Sequence, residues 1–181
     1  MKNTKVNLVP LTEDDREQFI LDDQWAFKYG AMEEFGKRDD HIDDDGEIIS
    51  RRTIESCIDD ENNDTYRIML DGKKVGGAIV KIDKETQHNH LEILFVSPEE
   101  HTRGIGFGAW QEIEALYPET KIWETCTPYF EKRNIHFYVN KCRFHIVEFY
   151  NEFNQDPNMS PEEDYPDEGP DEMFRFIKVM K

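Results

Sequence analysis

Cysteine is scarce in this sequence. The three residues, Cys57, Cys126 and Cys142, are an odd number without metal-type spacing. That pattern excludes a disulfide framework as the source of stability, and reduced thiols of a cytoplasmic protein are expected. No run of about 18 apolar residues occurs, so no membrane-spanning helix and no membrane partner are expected. The stretch Met1 to Pro10 also lacks the apolar centre of a signal peptide. Basic residues are outnumbered: 22 Lys and Arg face 40 Asp and Glu, for a formal net charge of -18. Such a field repels phosphate backbones and argues against nucleic acid. It keeps the chain soluble and favours cationic partners such as amines or basic peptides. No internal repeat is apparent.

Two metal patterns are incomplete. The acids Asp39, Asp40, Asp43, Asp44 and Asp45 suggest a calcium loop. Aligning Gly46 with the required glycine, however, puts His41 at the first ligand position and Arg52 at the last, both wrong for calcium. A solvated loop is expected instead. His88-x-His90 has no third ligand in view, so a polar strand end is expected and no metal site.

With 181 residues the chain suits one α/β domain, 1–181. Val6 to Leu11 reads as a strand, and Thr12-Glu13-Asp14-Asp15 as a capping box opening a helix to about Phe35. The expected apolar side of that helix is Phe19, Ile20, Trp25, Ala26 and Met32. Ser50 caps a short helix through Ile58. Thr65 to Leu70 and Lys73 to Ile82 flank Asp71-Gly72, a two-residue hairpin signal. Lys121 to Cys126 reads as a strand, and Thr127-Pro128 as the N-cap and first residue of a helix. Phe144 to Tyr150 is a further strand. The segment 151–172 is acidic, holds four of the eight prolines and contains no Lys or Arg. It is expected to be a surface loop that attracts cationic acceptors, with Met173 to Met180 as the closing strand.

The most informative stretch is Leu91 to Leu116, LEILFVSPEEHTRGIGFGAWQEIEAL. An apolar run, Leu91 to Val96, is interrupted only by Glu92 and stopped by Ser97-Pro98. Arg103-Gly104-Ile105-Gly106-Phe107-Gly108 then opens a helix whose Ile105, Ala109, Ile113 and Leu116 recur at helical spacing. Strand, glycine-rich loop and helix start together make an anion site. The first amides of a helix lack internal partners, and glycines let a phosphate approach them. The loop is neither a Walker loop, since no Gly-Lys-Ser/Thr follows, nor a dinucleotide fingerprint, since the third glycine is misplaced.

This stretch resembles the central motif of the GNAT superfamily of acyl-CoA-dependent N-acetyltransferases, in which Arg/Gln-x-x-Gly-x-Gly/Ala follows the strand. His101-Thr102-Arg103-Gly104-Ile105-Gly106 stands there in this sequence, with His101 replacing the usual Arg or Gln. A second element, Asn134-x-x-x-Tyr138-x-x-Lys141-x-Arg143-Phe144, resembles the family's later helix, with Arg143 where glycine is usual. The run Cys126 to Tyr138 is similar to that of an uncharacterised bacterial branch. Taken alone, Tyr138 would read as a core aromatic.

The resemblance implies a GNAT-like α/β fold: a mixed, mostly antiparallel central sheet, helices on both faces and a splayed parallel strand pair. The pair would be Leu91–Val96 and Lys121–Cys126. It further implies acetyl-CoA as co-substrate, with Phe95 and Val96 binding the pantetheine arm and His101, Thr102, Arg103, Gly104, Ile105, Gly106 and Phe107 cradling the pyrophosphate. Asn134 and Lys141 would complete the coenzyme site. The implied reaction is direct attack of an amine on the thioester, with Tyr138 as the acid for the departing thiolate. Glu92 is the candidate base, expected on the same side of its strand as Leu94 and Val96; His90 or a water stays open for that role. A non-catalytic acyl-CoA-binding or partner-binding module is the alternative, and a homodimer stays open.

Overall fold

The computed structural model describes residues 5–35, 46–101, 104–158 and 172–181. Most of the acidic run from Asp39, Thr102 and Arg103, and residues 159–171 of the acidic segment lie outside them. Seven strands form one sheet: β1 (Val6–Pro10), β2 (Asn63–Leu70), β3 (Lys73–Lys81), β4 (His88–Val96), β5 (Ile122–Pro128), β6 (His145–Tyr150) and β7 (Met173–Val179). Their order is β1-β2-β3-β4-β5-β7-β6. Every neighbouring pair is antiparallel except β4 and β5. Asp71 and Gly72 join β2 to β3 with φ of 50° and 78°, the two left-handed residues that a type I′ hairpin requires.

Helices α1 (Arg16–Phe35) and α2 (Arg51–Asp59) cover one face, where Phe19, Ile20 and Ile54 pack on Ile79, Ile93 and Phe95. Helix α3 (Ile105–Leu116) and the short α4 (Lys132–His136) cover the other. There Trp110, Ile113, Trp123, Tyr138, Phe144 and Phe176 form the largest cluster. The mixed, mostly antiparallel sheet with helices on both faces is therefore observed. Ser50 caps α2 as expected, accepting a hydrogen bond from the Thr53 amide at 3.0 Å.

The central strand departs from regular alternation. Val80 of β3 stands opposite Leu91 and Ile79 opposite Ile93, so Glu92 is an extra residue without a partner. This bulge resets which side chains face which way. Leu91 and Leu94 pack with the α3 side, whereas Ile93 and Phe95 pack under α1. Glu92 is accordingly not on the side of Leu94 and Val96. It is exposed on the α2 side, where its charge is felt by Cys57 and Lys81. Strand β4 also starts at His88 rather than Leu91. Its first three residues carry all of the parallel pairing, His88–His90 against Ile122–Glu124. The Thr125 hydroxyl then donates to the Leu91 carbonyl at 2.9 Å. Beyond this stitch the two strands separate, giving the splayed pair.

Three local expectations are corrected. Thr12 stands at an N-cap but its side chain makes no capping bond; a 3-10 turn, Glu13–Asp15, precedes α1. Trp25 and Met32 are about half exposed, at 52% and 48%, so the apolar side of α1 rests on Phe19, Ile20 and Ala26. Thr127 and Pro128 do not start a helix. They end β5 opposite Phe174 and Met173, where the Tyr129 amide extends the ladder to the Glu172 carbonyl, and the helix cap is Glu131.

Asp23 of α1 is fully buried, and neither carboxylate oxygen finds a hydrogen-bond partner among the described residues. Burial pushes its carboxyl well above the usual range, against a smaller opposing pull from Arg67. A carboxyl whose folded pKa is raised favours folding least at neutral pH. The penalty grows as pH rises from the unfolded value toward the folded one. Asp23→Asn should therefore raise the melting temperature at pH 7, by roughly 2–4 °C per kcal/mol recovered. Melts of both proteins at pH 7 and pH 4 check this, since the gain should shrink in acid.

Candidate active site

The separation of β4 from β5 opens a cleft of about 510 Å³, within the size range of small-molecule sites. One wall is the C-terminal half of β4, through Leu94, Phe95 and Val96. A second is the start of α3, through Gly104, Ile105, Gly106 and Phe107, and a third is α4 with the turn after it. Gly104 caps α3 at φ 73°, a left-handed conformation that glycine adopts without strain. The amide of Gly108 bonds to the Gly104 carbonyl at 3.0 Å and starts the helical ladder. The amides before it have no intrahelical acceptor, so an electropositive helix end faces the cleft. Gly106 leaves room: a Cβ there would meet Phe137 at 3.6 Å and Val96 at 3.7 Å, ordinary contacts.

His101 is not part of a bare backbone cradle. Its Nε2 bonds to the Val96 carbonyl at 3.0 Å and its Nδ1 faces Arg133 Nη1 at 3.1 Å. Since Arg133 can only donate, these partners assign the hydrogen to Nε2. The same ring packs edge-on against Tyr29 of α1, with centroids 5.9 Å apart.

Helix α4 ends at His136 and runs into a π-helical turn, Phe137–Lys141. The amide of Cys142 bonds five residues back to the Phe137 carbonyl at 3.0 Å, and that of Phe144 to the Tyr138 carbonyl at 2.9 Å. Arg143 keeps the left-handed conformation usual for glycine there, at φ 68°, at a cost of about 1 kcal/mol. This wide turn directs Tyr138 inward. Its ring packs on Phe144 and Phe176, with centroids 5.7 and 5.6 Å away. Burial pushes its phenol well above the ordinary range, and a hydrogen bond with the Thr125 side chain pulls weakly the other way. Tyr138 therefore stays protonated at neutral pH beside the last stitch between the strands. Asn134 lines the cleft, donating to Thr127 Oγ1 at 3.3 Å and to the Glu131 carboxylate. Lys141 lines its outer rim.

Thus Phe95, Val96, His101, Gly104, Ile105, Gly106, Phe107, Asn134, Tyr138 and Lys141 share one cleft, while Glu92 does not line it. Glu92 and His90 both belong to the α1–α2 face of the sheet. Sequence reading missed Ala26, Phe27 and Gly30, which bring α1 to the cleft. It also missed Glu124, which is 6% exposed on β5 and held by the Arg175 fork at 2.6 and 2.9 Å. Burial pushes the Glu124 carboxyl up, but Arg175, His88 and His90 together hold it below the usual range. An acid flanked by Trp123 and Thr125 within a strand was the available signal, the same signal that singled out Glu92.

Among known proteins, the acetyltransferase (GNAT) family model matches residues 18–144. An uncharacterised protein of Bacillus subtilis (strain 168), YrkN, is 48% identical over 180 residues, covering 98% of this chain and 95% of that protein. The ribosomal-protein-S18-alanine N-acetyltransferase of Escherichia coli is similar in structure, with a TM-score of 0.66, 13% identity and coverage of 96% and 93%. So is the spermidine N-acetyltransferase of Vibrio cholerae, solved with CoA and spermine, with a TM-score of 0.65, 10% identity and coverage of 97% and 95%. At these identities the two structures speak for the fold, while the family model spans most of the chain. The parted parallel strands, the glycine-opened helix and the buried tyrosine are accordingly those of a chain that belongs to the GNAT family of acetyltransferases.

Proposed function

We propose that the protein transfers an acetyl group from acetyl-CoA to an amine, by direct attack of the amine on the thioester. The observation that carries this reading is the parallel pair that ends after three residues. It leaves the backbone of Phe95 and Val96 beside a cleft running from the electropositive start of α3 to Tyr138. The cleft suits an extended ligand with phosphates at one end, as the CoA of the Vibrio cholerae enzyme is. In this reading Gly104 to Phe107 receive the pyrophosphate with Thr102 and Arg103, and Phe95, Val96, Asn134 and Lys141 hold the arm. Tyr138 protonates the leaving thiolate. The acceptor enters from the opposite face of the sheet, where Glu92, His90 or a water takes its proton.

The chain's formal charge of -18 favours a cationic acceptor. A single sheet running through all seven strands supports reading 1–181 as one domain. No helix among the described residues is long and apolar enough to cross a membrane.

Acetyl-CoA should raise the melting temperature, because a ligand bound only by the native state stabilises it by mass action. Gly106→Ala tests the cradle. The added methyl fits the free protein but occupies the space a phosphate would need. Acetyl-CoA affinity should fall at least tenfold while the melting temperature without ligand changes little. Equal affinity in both proteins by calorimetry would remove the cradle from the reading. Thiol release across an amine panel separates an enzyme from a module that only binds the coenzyme.

A further inference from the structure

On the sheet face opposite Tyr138, β4 and β5 bring together three side chains that acetyl transfer leaves unexplained as a group. His88 and His90 alternate with the buried Asn89, so both rings leave the same face. They lie stacked, with centroids 5.4 Å apart and planes 16° apart. Glu124 stands opposite His90 on the parallel neighbour, and its Oε2 lies 2.6 Å from His88 Nε2. One ligating atom from each of the three lies within 4.8 Å of the others. We propose that His88, His90 and Glu124 bind one divalent transition ion of the zinc class, leaving one coordination position for an exchangeable ligand.

The donor set selects the ion. Two imidazoles and one carboxylate suit zinc, cobalt or nickel, whereas calcium and magnesium require mostly oxygen. Three protein ligands with a fourth position open is the arrangement of zinc sites that exchange water or substrate. Metal–ligand bonds near 2.1 Å in a tetrahedron put the ligand atoms roughly 3.4 Å apart. Closing on an ion therefore takes about 1 Å of movement, within reach of small χ rotations in two half-buried histidines. The backbone need not move, because the three residues sit on the paired stretch of β4 and β5.

Arg175 is the obvious objection, since a guanidinium repels a dication. Two features answer it. Arg175 donates Nε to Oε1 at 2.6 Å and Nη2 to Oε2 at 2.9 Å, and so holds the carboxylate in place, as hydrogen-bonded neighbours of metal-ligating carboxylates do. Its charge is also opposed a second time, by Glu148 at 3.4 Å. Glu124 and Glu148 against Arg175 leave one net negative charge beside the ion. Ligation replaces the hydrogen that bridges His88 and Glu124 rather than breaking the arginine fork. The pattern His88-x-His90 is visible in the sequence, but its third ligand comes from a strand 34 residues on.

The site shares His90 with the acceptor side of the proposed reaction, but metal binding is tested without that reaction. The full chain is stripped with EDTA, and zinc is titrated calorimetrically against a competing chelator. One equivalent should bind with micromolar or tighter affinity and raise the melting temperature. His88→Gln and His90→Gln should each weaken it at least tenfold, and the pair should abolish it. Cys126→Ser should leave it unchanged. In the wild-type protein, cobalt should broaden the ring resonances of His88 and His90 before those of the other histidines. Absence of a one-to-one site, its persistence in the double variant, its loss in Cys126→Ser, or broadening that spares these two rings would each overturn the proposal.

Discussion

Replacing Tyr138 by phenylalanine should lower kcat about a hundredfold, within the range expected of one proton-transferring group, while acetyl-CoA affinity changes little. The substitution keeps a ring packed on Phe137, Phe144 and Phe176 and removes only the hydroxyl. Thr125 loses a hydrogen bond but keeps its own donation to the Leu91 carbonyl, so no donor is orphaned. The stability cost should be about 0.5–1.5 kcal/mol, the usual worth of one such bond.

In water a phenol is a weaker acid than a thiol, and donation to a thiolate runs uphill. Burial leaves that order in place, because it pushes up the Tyr138 phenol as well as the neighbouring Cys142 thiol. Because the Tyr138 phenol is itself raised, kcat should show no alkaline loss from its ionisation below about pH 10, the ordinary tyrosine value. Undiminished kcat in Tyr138→Phe, with chemistry shown to limit the rate, would make Tyr138 a packing residue only.

What the sequence made legible was local or carried by the family pattern. Asp71-Gly72 specified a hairpin because only residues tolerant of positive φ fit its two central positions. Ser50 marked a cap because its short hydroxyl reaches the free Thr53 amide of the first turn. Gly104 to Leu116 showed both the cleft edge and the helix behind it. Features that depend on a partner strand were not legible. The bulge at Glu92 exists only relative to the register of β3, so simple alternation put that carboxylate on the wrong face. Thr127-Pro128 carries a good capping signal, yet ladder bonds to β7 keep it extended. Glu124 meets His88 only because β4 pairs with β5, and Arg175 only because β7 inserts between β5 and β6, a topology no nearby residue announces. The largest miss of this kind is a buried ion pair across 52 residues, Arg67 with Asp15.

Arg67→Met should destabilise the fold by about 3–5 kcal/mol, the range for removing one partner of a buried ion pair. Arg67 is 2% exposed. It donates Nε and Nη2 to Asp15 at 2.8 and 3.2 Å and Nη1 to Asp22 at 2.8 Å, and its guanidinium lies 5.1 Å from the Phe19 ring centroid. Methionine fills much the same volume, so the loss would be electrostatic rather than a cavity. Asp15 would keep only Lys74, at 2.7 Å.

Burial alone would push the Asp15 carboxyl up; the bonds from Arg67 and Lys74 outweigh it and hold it below its usual value. A depressed carboxyl contributes stability that is present above the unfolded pKa and lost as pH falls through the folded one. The wild-type advantage should therefore be full at pH 7 and narrow toward pH 3. In urea titrations at pH 7 the variant's midpoint should fall at unchanged slope, and Asp15→Asn added to Arg67→Met should regain part of the loss by removing the unpaired charge. Arg67 also anchors the start of α1, the helix whose Ala26, Phe27 and Gly30 border the cleft. Below the melting transition, acetyl-CoA affinity should stay within a few-fold of wild type, because those residues begin a full turn beyond Asp22, the last contact of Arg67 on α1. A stability loss under 1 kcal/mol would mean that Lys74 and solvent already satisfy Asp15, and that the buried arginine serves packing on Phe19 alone.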